Sequence, residues 1–122
     1  MSITTEARKA VRAKLLEATG NVYYGQAPED AAFPYAIFTL ETVSKSDLVA
    51  LCELEVNVVD HSRDSSTCES ICDTIEQLLD HEVISTDAVL FEPLFERKNA
   101  VSAEDRAIVR RRMTFSFNLY GR

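Results

Sequence analysis

The sequence predicts an α+β fold in which two helices pack on an antiparallel or mixed sheet of four to five strands. Two segments place apolar residues at helical spacing, and the extended segments alternate apolar with polar residues or are rich in β-formers. With 122 residues and 46% hydrophobic content, the chain can bury its core as a single domain, residues 1–122. The expected element order is α-β-β-β-α-β-β.

The first helix is expected over Thr5–Thr19, where apolar residues recur every three or four positions. Thr4 or Thr5 is placed to cap its start. Gly20 is placed to end it in a left-handed conformation.

Three strands are expected before the second helix. Asn21–Tyr24 is short, and the loop Gly25–Pro34 follows it because glycine, proline and acidic residues interrupt regular structure. Tyr35–Val43 is rich in β-formers, and Thr42–Asp47 has a polar, turn-like composition. In Cys52–Val58, apolar and polar residues alternate, which predicts a strand with one buried and one solvent-exposed face.

The second helix is expected to begin at Ser66, because Glu69 stands three residues later in the spacing of a capping box. Its apolar stripe comprises Cys68, Ile71, Cys72, Ile75, Leu78 and Leu79. Its opposite face is acidic and is expected to be solvated; it comprises Glu69, Asp73, Glu76 and Asp80.

Two extended runs complete the fold. Val89–Glu96 contains Pro93, which lacks an N–H and therefore belongs at an edge or a bulge. Arg97–Ala107 is expected to be a long polar loop. The last strand places apolar residues and one arginine on its core face: Val109, Arg111, Met113, Phe115, Phe117 and Leu119.

Charge is strongly segregated along the chain. The net charge of −7 divides into +2 for residues 1–20, −14 for residues 21–96 and +5 for residues 97–122. The overall negative charge argues against a protein whose main function is nucleic-acid binding, because phosphate binding needs a concentrated positive surface. Opposite charges on separate segments either pair within one fold or make contacts between copies.

The three cysteines are interpreted as free buried thiols in a reducing compartment. Cys68 and Cys72, with Cys52, His61 and His81, could supply zinc ligands, but two cysteines on one core-facing helix stripe do not have the spacing of a structural zinc site. No metal ligand is predicted. The chain shows no apolar run of the roughly 20 residues that a membrane span needs, and no signal peptide is expected.

No catalytic or cofactor-binding residue is predicted. In the triplet Asp60-His61-Ser62, neighbours in an extended chain point to opposite faces, so His61 is interpreted as marking the end of a strand. His81 follows the acidic end of the second helix, where an imidazolium interacts favourably with the helix dipole. Only three glycines are present, and none forms a phosphate-binding loop.

The cluster Arg110-Arg111-Arg112 is divided by the strand that carries it. Arg110 and Arg112 face one way and Arg111 the other, which favours salt bridges within or between subunits over phosphate contact. Glu53 and Glu55 share a strand face. They are interpreted as solvated residues or as partners of Arg110 and Arg112 if the two strands adjoin.

Four segments carry a resemblance to a known family: Ala7–Leu16, Val22–Pro28, Phe33–Ile37 and the strand with its polar turn at Leu54–Arg63. The chain resembles the tail-terminator, or tail-completion, minor tail proteins of long-tailed bacteriophages and prophages. The resemblance implies a non-enzymatic structural subunit that forms a ring, usually of six copies, on the head-proximal end of the tail tube. There it would end tube growth and join tail to head.

The implied partners are other copies of the chain, the tail tube protein and a head-completion protein, with no membrane or cofactor and no specific nucleic acid, although DNA would pass through the ring. The implied location is the tail neck of the virion, and the host cytoplasm during assembly. A head–tail connector or minor capsid component is the first alternative. A small ligand-binding domain or enzyme unrelated to phage, with a pocket between helix and sheet, is the second.

A ring requires heterologous contacts, in which one surface meets a different surface of the next copy, and segregated charges provide such a pair. The loops Thr42–Asp47 and Arg97–Ala107 are expected to contact a neighbouring copy or the tail tube. The expected interface residues are Lys45, Asp47, Glu53, Glu55, Arg97, Lys98, Arg106, Arg110 and Arg112.

Overall fold

The computed structural model describes residues 2–46 and 49–122, so Asp47 lies outside the described residues. The elements are α1 (Ile3–Leu15), β1 (Val22–Tyr24), β2 (Tyr35–Lys45), β3 (Val49–His61), α2 (Ser66–Leu79), β4 (Ile84–Ser85), β5 (Val89–Phe91), β6 (Leu94–Ala100) and β7 (Ile108–Gly121). The predicted α+β class, with two helices on one sheet, is confirmed.

The sheet follows the order β1-β2-β3-β7-β5-β4, and β6 also pairs with β7. All these pairs are antiparallel except β1 with β2, which is parallel, so the sheet is mixed. The expected four to five strands become seven for two reasons. A two-residue strand, β4, lies between α2 and the expected strand Val89–Glu96, where no strand was predicted, and Val89–Glu96 is divided into β5 and β6.

Pro93 interrupts that strand without shifting its register. Leu90 lies opposite Tyr120 and Leu94 lies opposite Ser116, so the alignment with β7 continues across Pro93 as far as Phe95. The register then shifts by one residue between Phe95 and Arg97. A proline lacks the N–H that would continue the ladder. Pro93 was expected at an edge or a bulge, and it lies in the break between β5 and β6. β6 continues to Ala100, so the first part of the expected loop Arg97–Ala107 is strand, and the connection comprises only residues 101–107.

The ends of α1 differ from the predicted ones. Its N-cap is Ser2, whose hydroxyl oxygen accepts a hydrogen bond from the Thr5 N–H at 3.3 Å. The helix ends at Leu15, before the expected Thr19, and residues 16–18 form turns. Gly20 is not left-handed, since the described glycine with positive φ is Gly25, at 82°. A helical apolar pattern does not distinguish a helix from the turns that extend it.

The predicted capping box of α2 is also wrong. Ser65 is the N-cap, and it makes no side-chain capping bond. The carboxylate of Asp64 accepts hydrogen bonds from the N–H and the hydroxyl of Ser66, at 2.9 and 3.0 Å. These two bonds lower the pKa of Asp64. Glu69 is free of a capping role because its side chain turns toward β6 and β7.

The core lies between the two helices and one face of the sheet. The predicted core face of β7 is confirmed for its apolar part, since Met113, Phe115, Phe117 and Leu119 are buried. The predicted stripe of α2 is buried at Cys68, Cys72, Ile75 and Leu79. The buried residues of β3 include Cys52, Leu54, Val56 and Val58, and α1 contributes Ala7, Val11 and Leu15.

Candidate functional site: the helix-free face of the sheet

In the part of the chain that the structure describes, no helix covers the second face of the sheet, which we call the open face. Strand alternation directs onto it the side chains that do not enter the core. It comprises Tyr35, Ile37, Thr39 and Glu41 of β2; Leu51, Glu53, Glu55 and Asn57 of β3; Leu94, Arg97 and Asn99 of β6; and Arg110, Arg112, Thr114, Ser116, Asn118 and Tyr120 of β7.

The open face is divided by charge. Its acidic side chains, Glu41, Glu53 and Glu55, lie on β2 and β3, and its basic ones, Arg97, Arg110 and Arg112, lie on β6 and β7. Glu41 lies directly opposite Glu53. Like charges opposite one another in a sheet are destabilising. The arrangement is therefore one that a positive group from outside would stabilise.

The expected direct pairs between these acids and arginines do not form. Between residues 2–46 and 49–122, no ion pair joins Glu53 or Glu55 to Arg110 or Arg112. The strands do adjoin, but their register places Glu55 opposite Thr114 and Arg112 opposite Asn57, which separates the charges along the sheet.

Asn57 bridges the two charge types instead. Its amide donates a hydrogen bond to Glu55 Oε1 at 3.0 Å, and its Oδ1 accepts one from Arg110 Nε at 3.1 Å. Asn57 is only 6% exposed, so both of its polar groups need partners. The bridge fixes Glu55 and Arg110 and leaves Arg112 and Arg97 without a carboxylate partner among the described residues.

One end of the open face carries three exposed large apolar side chains, Leu51, Leu94 and Tyr120, among polar ones. A shallow groove of about 240 Å³ is lined by Leu51, Glu92, Leu94, Ser116, Phe117, Asn118 and Tyr120. Leu51 lies opposite Asn118, and Leu94 lies opposite Ser116, so the two leucines flank β7. Leu51, Leu94 and Tyr120 are 39%, 42% and 43% exposed. Large apolar side chains grouped in this way are typical of a contact surface.

The sequence contained a signal for this groove. Leu51 and Tyr120 are large apolar residues at positions that strand alternation places on the solvent-exposed face, where polar residues are usual. The position of Leu94 depends on Pro93 and on the register of β6, neither of which sequence alternation fixes.

Arg111, the central residue of the arginine cluster, lies on the core side of β7 as predicted. Its ion-pair partner is Glu69, which was predicted to be solvated. Arg111 points to the helix side, where its Nε lies 2.6 Å from Glu69 Oε1, and Lys98 Nζ lies 2.6 Å from Glu69 Oε2. Hydrogen bonds from Lys98 and then Arg111 lower the pKa of Glu69, and the bond to Glu69 raises the pKa of Lys98. Glu69 is therefore an anchor of α2 on the sheet and not a solvated residue.

Of the other expected interface residues, Lys45 and Arg106 are exposed and Lys98 is not. Lys45 is exposed at the end of β2, so Thr42–Lys45 is strand and not loop. Arg106 is exposed in the connection of residues 101–107. Lys98 is half-buried and is held by Glu69 within the fold.

The cysteines are core residues, as predicted: all three are buried and free. Cys68 Sγ lies 3.5 Å from the carbonyl oxygen of Val58. Burial raises the pKa of Cys52, and the hydrogen bond with Cys68, together with burial, raises the pKa of Cys72. Across the described ranges, no group of three or more His, Cys, Asp or Glu side chains is placed to hold a metal ion.

The histidines lie apart from each other and from the thiols. His61 ends β3 and is exposed, as expected, with Nε2 3.9 Å from Asp105 Oδ2. Asp60 is buried, and its carboxylate accepts a hydrogen bond from the backbone N–H of His61 rather than from its ring. His81 follows α2 with φ of 60°, and its ring lies 3.6–3.8 Å from Glu92 and Asp80.

Solved structures that share this architecture include two that align over more than nine-tenths of this chain. A chain from the structure described as the virion of a native gene transfer agent particle aligns with a TM-score of 0.76 and 17% identity, over 93% of each chain. The fold is shared with a virion chain. A second solved structure, named only by a sequence identifier, aligns with a TM-score of 0.61 and 13% identity, over 92% of this chain and 94% of the other.

No family model and no curated protein matches the sequence. Within the described ranges, neither helix has the length and apolar character that crossing a bilayer requires.

Proposed function

We propose that this chain is a structural protein of a phage-like virion that acts as a tail terminator. In this role, copies form a ring on the head-proximal end of the tail tube, end its growth and present a surface to the head-completion protein. The observation that carries the virion role is the likeness to a chain of the gene transfer agent particle over 93% of both chains. The tail-terminator role rests in addition on the resemblance of the segments from Ala7 to Arg63.

The surface chemistry supports assembly over catalysis. The open face offers separated acidic and basic side chains and an apolar groove, which are the components of a protein–protein contact. The reactive side chains of the described residues do not converge: the thiols are in the core, and His61 and His81 lie at the ends of different elements. A ring subunit needs two different contact surfaces, and the charge division supplies them.

Negative-stain electron microscopy of the purified protein, alone and mixed with tail tubes of the same virion, tests this function. The expected result is a ring on one end of each tube, with tube ends blocked to further addition of tube protein. Binding along the tube wall, or no binding to tubes, would contradict it. Binding to heads in place of tubes would assign the chain to the head–tail connector.

A further inference from the structure

The groove of the open face lies at the break between two strands. β5 pairs with β7 as far as Leu90, and β6 begins to pair at Leu94, so the ladder on this side of β7 is interrupted beside Asn118. At this break a core side chain, Phe117, lines the groove together with the exposed Leu51 and Leu94. A recess with apolar walls and a polar rim is suited to receive an apolar side chain.

The opposite end of the open face carries four rings, which we call the aromatic cluster: Tyr23 of β1, Phe33 of the loop before β2, Tyr35 of β2 and His61 of β3. The centroid of the Phe33 ring lies 5.3 Å from that of Tyr35 and 5.6 Å from that of His61. Phe33 is nevertheless 43% exposed. A ring that is held by its neighbours and still exposed is suited to anchor a contact, because little conformational entropy is lost on binding.

The groove and the aromatic cluster are too far apart to meet within one subunit. Leu51 of β3 lines the groove, and Val59 of β3 lies opposite Tyr35 of the aromatic cluster. From Leu51 to Val59 the strand extends about 26 Å. A contact between Phe33 and the groove therefore requires two molecules.

Charge on the open face is divided along the strands as well as across them. Glu41 and Glu53 lie opposite each other, one step along the face from the groove. Arg110 lies level with Tyr35 of the aromatic cluster, and Arg112 lies one step closer to the groove. Within residues 2–46 and 49–122, none of these four charged side chains makes an ion pair. Bringing the aromatic end of one copy to the groove end of another brings arginines toward glutamates, which favours a second copy as the occupant.

We propose that Phe33 of one copy docks in the groove of a second copy, between Leu51 and Leu94. Each subunit then inserts its Phe33 into one neighbour and receives the Phe33 of another. The contact is heterologous, and it gives a closed ring when the rotation between successive copies closes. The inference rests on the proposed ring and names the contact that builds it.

Site-specific photo-crosslinking tests this docking. The full chain carries a diazirine analogue of phenylalanine at position 33 and is irradiated after mixing with tail tubes of the same virion. We expect a product with the mass of two chains, in which mass spectrometry joins position 33 to a peptide that contains Leu51 or Leu94. The matched control carries the same analogue at Leu16, which is 39% exposed at the end of α1. It should give no product with those peptides.

Each outcome separates the docking from the proposed function. Crosslinks from position 33 to the tube protein, or to parts of a second copy away from the groove, would overturn the docking. A ring on tubes without the crosslink to the groove would overturn the docking and leave the proposed function intact. The crosslink without a ring on tubes would do the reverse, and absence of both would overturn both.

Two groove variants supply a second measurement that leaves Phe33 in place. Leu94→Ser removes one wall of the groove, and Asn118→Trp fills it; both positions are exposed, so thermal unfolding should stay close to that of the wild type. We expect each variant to raise the protein concentration needed for half-maximal ring formation by about tenfold or more, as loss of an anchoring contact does. Leu16→Ser is the control and should leave that concentration unchanged. Ring formation by both folded variants at the wild-type concentration would overturn the docking.

Discussion

At the scale of single residues, Glu69 joins α2 to two strands that are distant from it in sequence. It contacts Lys98 of β6 and Arg111 of β7 from the first turn of α2, both at 2.6 Å. We expect Glu69→Gln to lower the free energy of unfolding by about 1 kcal/mol, because charge-assisted hydrogen bonds are lost and solvent screens part of the pair. Urea unfolding at neutral pH measures this, with Glu76→Gln on the same helix as the control, expected within about 0.5 kcal/mol of wild type.

The same cluster predicts a pH dependence. The pKa of Glu69 is lowered in the folded state by its hydrogen bonds from Lys98 and Arg111. Its contribution is therefore complete above the ordinary glutamate pKa of about 4.3 and is lost as the pH falls through the lower folded value. The stability difference between wild type and Glu69→Gln should shrink as the pH decreases below about 4. A difference that persists undiminished at pH 2 would show that the loss is not electrostatic.

The thiols provide a third test at this scale. Cys52, Cys68 and Cys72 are buried, which shields their sulfur atoms from a reagent in solvent. Burial raises the pKa of Cys52, whereas the hydrogen bond between Cys68 and Cys72 lowers the pKa of Cys68 and raises that of Cys72, so the protection of Cys68 depends on its burial. We expect a disulfide reagent at pH 8 to modify the native protein far more slowly than the urea-unfolded protein, which should yield all three thiols. Rapid modification of the native protein, or zinc released during the titration, would contradict core thiols.

At the scale of elements, α2 is stabilised mainly by its buried stripe. Ile75 is fully buried, whereas Ile71 of the same helix is only partly buried against the core. We expect Ile75→Ala to cost about 2–5 kcal/mol. The matched Ile71→Ala should cost less, because less apolar surface leaves contact. Denaturant midpoints of the two variants compare them directly, and equal losses would show that α2 packs differently from this description.

At the scale of the whole molecule, the proposed ring depends on the separation of acidic and basic side chains. We expect Arg97→Glu with Arg106→Glu to weaken ring formation on tubes while leaving thermal unfolding close to wild type. Both side chains are exposed and make no ion pair with a described residue. Lys98 is best left unchanged in this test, because Lys98→Glu would place two carboxylates together at Glu69.

The control for that pair is Arg12→Glu with Arg63→Glu, which changes the net charge equally at two other exposed positions. Light scattering and electron microscopy of both double variants report assembly. Equal weakening by the two would attribute the effect to net charge, and wild-type assembly at high salt would show that charge pairing between subunits contributes little.

The sequence by itself determined the α+β class, both helices, the core face of β7, the buried thiols and the opposite directions of Arg110 and Arg111. These follow from periodicity, because residue spacing fixes which side chains share a face. The N-cap residues of the helices could not be predicted from the sequence. Ser2, Ser65 and Ser66 are all chemically suited to a cap, and local backbone geometry selects among them.

Only the tertiary structure decided the rest. The parallel pairing of β1, the register that continues across Pro93 and shifts after Phe95, and the offset that keeps Glu55 from Arg112 depend on contacts between segments far apart in sequence. Alternation states which face a side chain occupies, but not which residue lies opposite it. The open face and its groove are therefore properties of strand order and register.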